Sequence, residues 1–248
     1  MSPRAAQLIA SLTPKPLVGA LVRHVYPRIE PELGLLASYV PQGGTAVDVG
    51  GWFGPWTQRL LGRSARVVTI EADSELARLL GRTFPTATVV HAAASDRDGE
   101  TTLWSPPGGA IIGVSSVARS AGTGAQVPEI MIDSLNLDDV RFVKMDIEGH
   151  ELAALRGAEK TIRRDLPVVL LELEVRHQPL EPVLDLMNSW GYQARVAPQN
   201  RWIPLTGFDL AAHQRTNSAH LNRSFPSRVL RPGPRYVNCV LFVNPGRA

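Results

Sequence analysis

The stretch Ala46-Val47-Asp48-Val49-Gly50-Gly51-Trp52-Phe53-Gly54 opens as a short apolar strand and breaks into a turn with glycines at its first and last corners. A helix's length later, Val67-Val68-Thr69-Ile70-Glu71 is a second apolar run, and it ends in an acid. Strand, glycine turn, helix and acid-terminated strand, in that order, form the opening βαβ unit of a nucleoside-binding α/β fold. Gly50 and Gly54 let the chain bend away from the strand, and a turn without β-carbons lets a ligand approach bare backbone. Glu71 stands about 20 residues beyond Gly50, the interval at which an acid ending the second strand accepts hydrogen bonds from both ribose hydroxyls.

A dinucleotide fingerprint requires G-x-G-x-x-G, but the glycine after Gly50 is Gly51, and Trp52 stands where the second glycine belongs. NAD is disfavoured by that spacing. A G-x-x-x-G turn preceded by Asp48 suits a nucleoside cofactor without a pyrophosphate, of which S-adenosylmethionine (SAM) is the common one. The candidate cofactor residues are Asp48, Gly50, Gly51, Trp52, Gly54, Glu71 and the adjoining Ala72. Read in isolation, the turn also fits a plain strand-to-helix connection.

A second dense signal is Val143-Lys144-Met145-Asp146-Ile147-Glu148-Gly149-His150-Glu151, again an apolar strand that ends in carboxylates and turns at a glycine. In a doubly wound sheet the ligand crevice lies at the carboxyl ends of the strands near the switch point. Asp146 and Glu148 are therefore expected to face the reacting end of the cofactor. The next strand delivers Glu172 and Glu174 to the same rim. The competing role for Glu148 and Glu151 is to cap the following helix, where an acid is worth about 0.3–1 kcal/mol, and Glu151 suits that role better than Asp146.

Around these motifs, strand and helix alternate from Thr45 onward. Strands are expected at 46–50, 66–71, 88–91, 142–146, 167–172, 192–196 and 236–243, with helices at 55–61, 73–82, 150–163 and 181–190. Residues 98–132 read as a hairpin excursion with Asp98-Gly99 as its turn and strands at 101–104 and 127–132. Between those strands, 105–125 is rich in Gly, Ser and Pro, which predicts a mobile connection bordering the acceptor pocket. Residues 1–40 show helical spacing (Leu8, Ile9, Leu12; Leu17, Leu21, Val22, Val25; Leu33, Leu35, Leu36) interrupted by Pro14, Pro16, Pro27 and Pro31. They are expected to form short helices that cap the core or cover the site as a lid, with contact to a membrane surface as the alternative. The main domain is expected to span 41–248.

The chain has 248 residues, 44% hydrophobic and 20% charged, which suits one folded α/β domain with decorations and argues against disorder. Cys239 is the single cysteine, so no intrachain disulfide forms; it lies in an apolar run and reads as a packed strand residue in a reducing compartment. No apolar run reaches the length of a membrane span and no secretory leader pattern opens the sequence, so the expected location is cytoplasmic. The net charge is +3 and the pI 9.3, with basic residues concentrated between Arg195 and Arg235 around one acid, Asp209. This basic insertion, at about 197–235, suits an anionic substrate or membrane face, or arginines solvated on a long loop. It lacks interleaved stacking aromatics, which argues against nucleic-acid binding.

The assembled motifs resemble the FkbM family of SAM-dependent methyltransferases. The resemblance rests on Asp48-Val49-Gly50 with Gly54, on Glu71, on Ala94-Ser95-Asp96 with Gly99, on Ile132-Asp133-Ser134-Leu135, and on the segment from Lys144 to Glu151. It continues through Leu155, Gly157, Pro167 and Glu172 to Gly191-Tyr192, covering roughly 45–196. It implies a Rossmann-like class I methyltransferase fold: α/β, with a mostly parallel seven-stranded sheet whose last strand is antiparallel. It also implies SAM as cofactor, Ser95 and Asp96 beside the adenine, and O-methyl transfer to sugars, glycolipids or secondary metabolites. One local departure is Gly51-Trp52, where the family carries a small residue and Asn, so Trp52 or Trp56 is expected to wall the pocket.

Methyl transfer needs alignment of a nucleophilic oxygen, exclusion of water and a base, which adds about 10²–10⁴-fold. His150 is the first candidate base, with Asp146 and Glu172 as rivals and His177 more distant. Asp146, Glu148 and Glu172 also offer the hard oxygen ligands that Mg2+ accepts, although ribose-binding and capping roles account for most of these acids. The alternative function is a SAM- or nucleoside-binding module of a biosynthetic assembly that has lost transfer chemistry. Acceptor identity and oligomeric state are not legible in the sequence.

Overall fold

The computed structural model describes residues 14–28, 30–105, 115–118, 122–218 and 235–246. Leu8, Ile9 and Leu12, most of the 105–125 connection, and His220, Arg223, Arg228 and Arg231 of the basic segment lie outside the described residues.

Among the described residues, two α-helices, α1 (Lys15–Val25) and α2 (Pro31–Leu35), precede the first strand. The first half of the sheet follows as β1 (Thr45–Val49), α3 (Pro55–Leu61), β2 (Arg66–Glu71), α4 (Ser74–Thr83) and β3 (Thr88–His91). After an excursion formed by β4 (Ala93–Ala94), β5 (Gly99–Ser105) and β6 (Thr123–Ile130), the chain returns as β7 (Val140–Met145). The second half comprises α5 (Glu151–Arg156), α6 (Glu159–Asp165), β8 (Val168–Glu172), α7 (Glu181–Ser189) and β9 (Gln193–Val196). It closes with β10 (Ile203–Pro204), α8 (Leu210–Asn217) and β11 (Cys239–Val243).

The main sheet runs β10-β9-β11-β8-β7-β1-β2-β3. β1 pairs in parallel with both β2 and β7, and β8 is parallel to β7. The last strand, β11, is antiparallel to β8 and β9. This is the Rossmann-like methyltransferase order, and the two-residue β10 adds an eighth strand at one edge. The chain moves outward from β1 on one side and returns on the other at β7, so the switch point lies between β1 and β7.

Both faces of the sheet are covered, which is why β1 reads as a continuous buried run rather than an alternating one. Val47, Val143, Val169 and Leu171 pack on one face with Leu155, Ile162, Val183 and Met187. On the other face, Ala46, Val67, Phe142 and Leu170 pack with Trp56, Leu60, Leu33 and Leu36. Fully burying each such large apolar side chain contributes about 1.5–3 kcal/mol.

Three elements differ from the sequence reading. The helix expected over 150–163 is broken into α5 and α6. Gly157 lies so close to the Ser95 backbone carbonyl that a β-carbon there would collide with it, and its own carbonyl accepts from Asp133 N at 2.9 Å. Asp133 then caps α6 from outside, accepting from Lys160 N at 3.0 Å and Thr161 N at 2.8 Å. The excursion is a separate three-stranded sheet, β4-β6-β5, rather than a tight hairpin at Asp98-Gly99. Asp98 instead ties its base, accepting from Met131 N at 2.8 Å and Ser134 Oγ at 2.6 Å.

The final strand begins at Cys239, not Tyr236. Gln214 of α8, fully buried, substitutes for ladder partners upstream of it. Its amide donates to Leu173 O at 2.7 Å and Val237 O at 3.1 Å, and its oxygen accepts from Val175 N at 2.9 Å. The described part of the basic insertion is thus anchored in the core.

Candidate functional site

The cofactor turn is built by close protein packing. Gly50 and Gly54 have φ of 80° and 81°, in the left-handed region that favours glycine. A β-carbon on Gly50 would collide with the Asp146 carbonyl, one on Gly51 with Thr69, and one on Gly54 with the Phe84 ring. The glycines therefore admit neighbouring protein atoms. Asp48 is likewise fully buried under the turn, accepting from Thr57 Oγ1 at 2.6 Å, with Oδ1 lacking a hydrogen-bond partner. It supports the turn from beneath.

Glu71 links both sides of the crevice. Its two oxygens accept from Trp52 N and Asp73 N, each at 2.8 Å. Each carboxylate oxygen offers two lone-pair sites, so one on each remains for a further donor. Burial pushes the Glu71 carboxyl up to about 7, although the two backbone donors pull it down. Trp52 has φ of 47°, and its half-buried ring lies 5.4 Å from Tyr26 and 5.2 Å from Phe53. Arg23 of α1 donates to Phe53 O at 2.9 Å and lies 5.5 Å from the Phe84 ring. Hence α1 packs directly over the turn. Trp56 is buried and stacks on Phe142, with Nε1 donating to Glu30 at 3.1 Å. It supports the core rather than walling a pocket.

The carboxylate rim converges on Lys144, a charged residue inside the apolar strand β7. Its Nζ is 3.4 Å from Asp146 Oδ2, 3.4 Å from Gly50 O and 3.9 Å from Asp48 Oδ1. Burial works against its charge, but Asp146, Asp48, Glu30 and Glu172 outweigh it and raise its pKa. Lys144 was missed as a functional residue, yet a lysine between Val143 and Met145 was the available signal. Glu30, from the segment before α2, is pushed by burial up to about 8. Glu172 accepts from Asn238 and is hydrogen-bonded to Asp146. Burial, followed by the charges of Asp146, Glu174 and Glu30, lifts Glu172 well above the carboxylate range.

The expected Mg2+ set is not assembled: among the described residues no three His, Cys, Asp or Glu side chains form a group that could hold a metal. Asp146 turns to Lys144, while Glu148 Oε2 lies 2.8 Å from His177 Nδ1. His150 stands at the N-cap of α5 with Nε2 3.1 Å from Ser95 Oγ, and burial lowers its pKa. The structure thus groups His150 with Ser95, and Asp146 with Lys144 and Glu172. Ser95 is buried and Asp96 exposed; Ala72 is half-buried against the Ala93 cluster.

The turn after β7 is held by Glu151, which accepts from Ile147 N and Gly149 N at 3.1 Å each and from Gln178. Burial pushes Glu151 up to about 7. From the excursion, Ser116 Oγ donates to Glu148 O at 2.9 Å, latching the small sheet to this turn. Beyond it lies a cavity of about 370 Å³ bordered by Arg176, His177, Gln178, Leu180, Ala211 and Arg215.

A family model described as the methyltransferase FkbM domain matches residues 44–194. No curated protein matches the sequence. Among solved structures, methyltransferase FkbM from Methylobacillus flagellatus is 20% identical over 81% of this chain, with a TM-score of 0.49. The chain spans only 43% of that protein. A TehB-like SAM-dependent methyltransferase from Corynebacterium glutamicum is 13% identical over 86% of each chain, with a TM-score of 0.45. A Streptococcus mutans protein solved in complex with S-adenosylhomocysteine (SAH) is 9% identical over 87% of this chain and 96% of its own, with a TM-score of 0.46.

Proposed function

Because the chain belongs to the FkbM methyltransferase family, we propose that it transfers a methyl group from SAM to a hydroxyl of a sugar, glycolipid or secondary metabolite. The observation that carries the cofactor assignment is Glu71. At the end of β2, a buried carboxylate with one backbone donor on each oxygen keeps one acceptor position per oxygen, matching the two donors of a ribose diol. When bound, SAM supplies an activated methyl carbon open to in-line attack by an oxygen.

This chain's residues do the positioning. Glu71 accepts the ribose hydroxyls and Ala72, Ser95 and Asp96 border the adenine. Trp52, pinned between Tyr26 and Phe53, shields the turn from water. Gly50, Gly51 and Gly54 hold the turn against its neighbours, Asp48 braces it through Thr57, and Lys144 fixes Asp146 at the reacting end. His150 orders the adenine side through Ser95. Residues 14–28, with α1 over Phe53, act as the cap of the cofactor site. No helix among the described residues is long and apolar enough to cross a membrane. The buried free thiol of Cys239 suits a reducing cytoplasm, the compartment we assign.

The test is incubation of the protein with methyl-labelled SAM and a panel of glycosides, glycolipids and polyketide alcohols, with products identified by mass spectrometry. A methyl ether in the product together with SAH is the expected result. Methylated amines or carboxylates would overturn the hydroxyl assignment, and SAM binding without transfer to any class would favour a binding module.

A further inference from the structure

We propose that His177 is the proton acceptor of methyl transfer and that Glu148 is its positioning residue; this rests on the methyltransferase reading above. The other candidate bases are engaged. His150 Nε2 faces Ser95 Oγ, Asp146 is paired with Lys144, and Glu172 accepts from Asn238. His177 differs in three respects.

Its Nδ1 lies 2.8 Å from Glu148 Oε2, so a carboxylate from the turn after β7 fixes a ring carried by the loop after β8. The contact is at ion-pair distance, and a ring proton on Nδ1 turned toward this carboxylate would leave Nε2 as the basic nitrogen. The side chain is only 5% exposed, yet Nε2 has no hydrogen-bond partner. A buried polar atom left without a partner costs about 1–3 kcal/mol, a cost that an incoming hydroxyl donor would remove. Finally, His177 borders the cavity of about 370 Å³ at the carboxyl edge of the sheet, where an acceptor would enter.

The ring is held closely. A β-carbon on Gly149 would sit 3.1 Å from His177 Cβ, a tight contact that glycine at that position avoids. The charged groups around the ring are Glu148, Glu174, with Oε2 3.8 Å from Nε2, and Arg176, which is paired with Glu174. In the step, the acceptor O–H bond breaks and its proton passes to Nε2. The oxygen pair forms the new O–C bond while the C–S pair returns to sulfur, leaving SAH. The resulting imidazolium is flanked by Glu148 and Glu174, whose charges favour it.

The test uses the whole protein and the variants His177→Gln and Glu148→Gln. Titration with SAM comes first: wild type and both variants should bind within about threefold of one another, and failure of wild type to bind counts against the methyltransferase reading alone. Nitrogen-15 NMR of labelled histidines, with the His177 signals assigned by their loss in His177→Gln, should show the neutral ring protonated on Nδ1. In Glu148→Gln the ring should lose that tautomer preference. On the acceptor identified by the panel above, His177→Gln should lower kcat by about 10²–10⁴-fold with KM little changed. A neutral ring protonated on Nε2 in the wild type would turn the basic nitrogen toward Glu148 and overturn the proposal. So would a kcat for His177→Gln within threefold of wild type.

Discussion

At the scale of single residues, the site depends on groups whose environment sets their charge. Glu71 sits at about 7 in the fold against an ordinary 4.5, mainly because it is buried. Its protonated form is therefore favoured by folding. Its contribution to stability is complete below about pH 4.5 and is lost as pH rises toward 7. Ribose donors prefer the ionised form, so SAH affinity should rise through the same window. Calorimetric titrations across that range should show this, and Glu71→Gln should flatten the dependence; a flat wild-type profile would contradict the assigned role. Gly50→Ala places a β-carbon against the Asp146 carbonyl at φ 80°. It should cost at least about 2 kcal/mol, seen as a fall in Tm of about 4–8 °C. The place of Glu71 at the end of β2 was legible because its interval after the turn sets it. The upward pKa shift of Glu172 was not, because burial and the approach of Asp146, Glu174 and Glu30 arise only in the tertiary fold.

At the scale of elements, apolar periodicity located the parallel strands, since burial on both faces leaves a continuous apolar signature. It failed where pairing is polar. The first half of β6, Thr123 to Gln126, is exposed and is held by the antiparallel register with β5 rather than by a core face. It also failed where one side chain replaces a ladder, as Gln214 does for the segment before β11. Gln214→Ala should leave Leu173 O, Val237 O and Val175 N without partners and cost about 2–4 kcal/mol in denaturant unfolding. Arg215→Ala, one position on and exposed, should stay within about 0.5 kcal/mol. Contact between α1 and the cofactor turn runs through Tyr26, Trp52 and Phe53. Trp52→Ala should weaken SAM binding about tenfold, equivalent to about 1.4 kcal/mol, and speed amide exchange across 15–25. Unchanged affinity would remove the tryptophan from the pocket.

At the scale of the whole molecule, one sheet brings two glycine-and-acid turns to the same edge. β1 and β7 are neighbours, so Gly50 meets Asp146 and the cofactor turn is mechanically continuous with the carboxylate rim. The loop after β8 adds His177, and the small β4-β6-β5 sheet reaches the same turn through Ser116. The fold was largely readable because each motif carries its own spacing. The reacting end was less so: Lys144, Glu148 and His177 acquire their roles from neighbours on other strands. The account depends first on the Asp48–Glu71 unit being a SAM site, and isothermal titration of SAH into wild type and Glu71→Gln tests that most directly. One saturable SAH site per chain, competitive with SAM and at least tenfold weaker in Glu71→Gln, is the predicted result; no binding at millimolar SAH, or equal affinity in the two proteins, would contradict it.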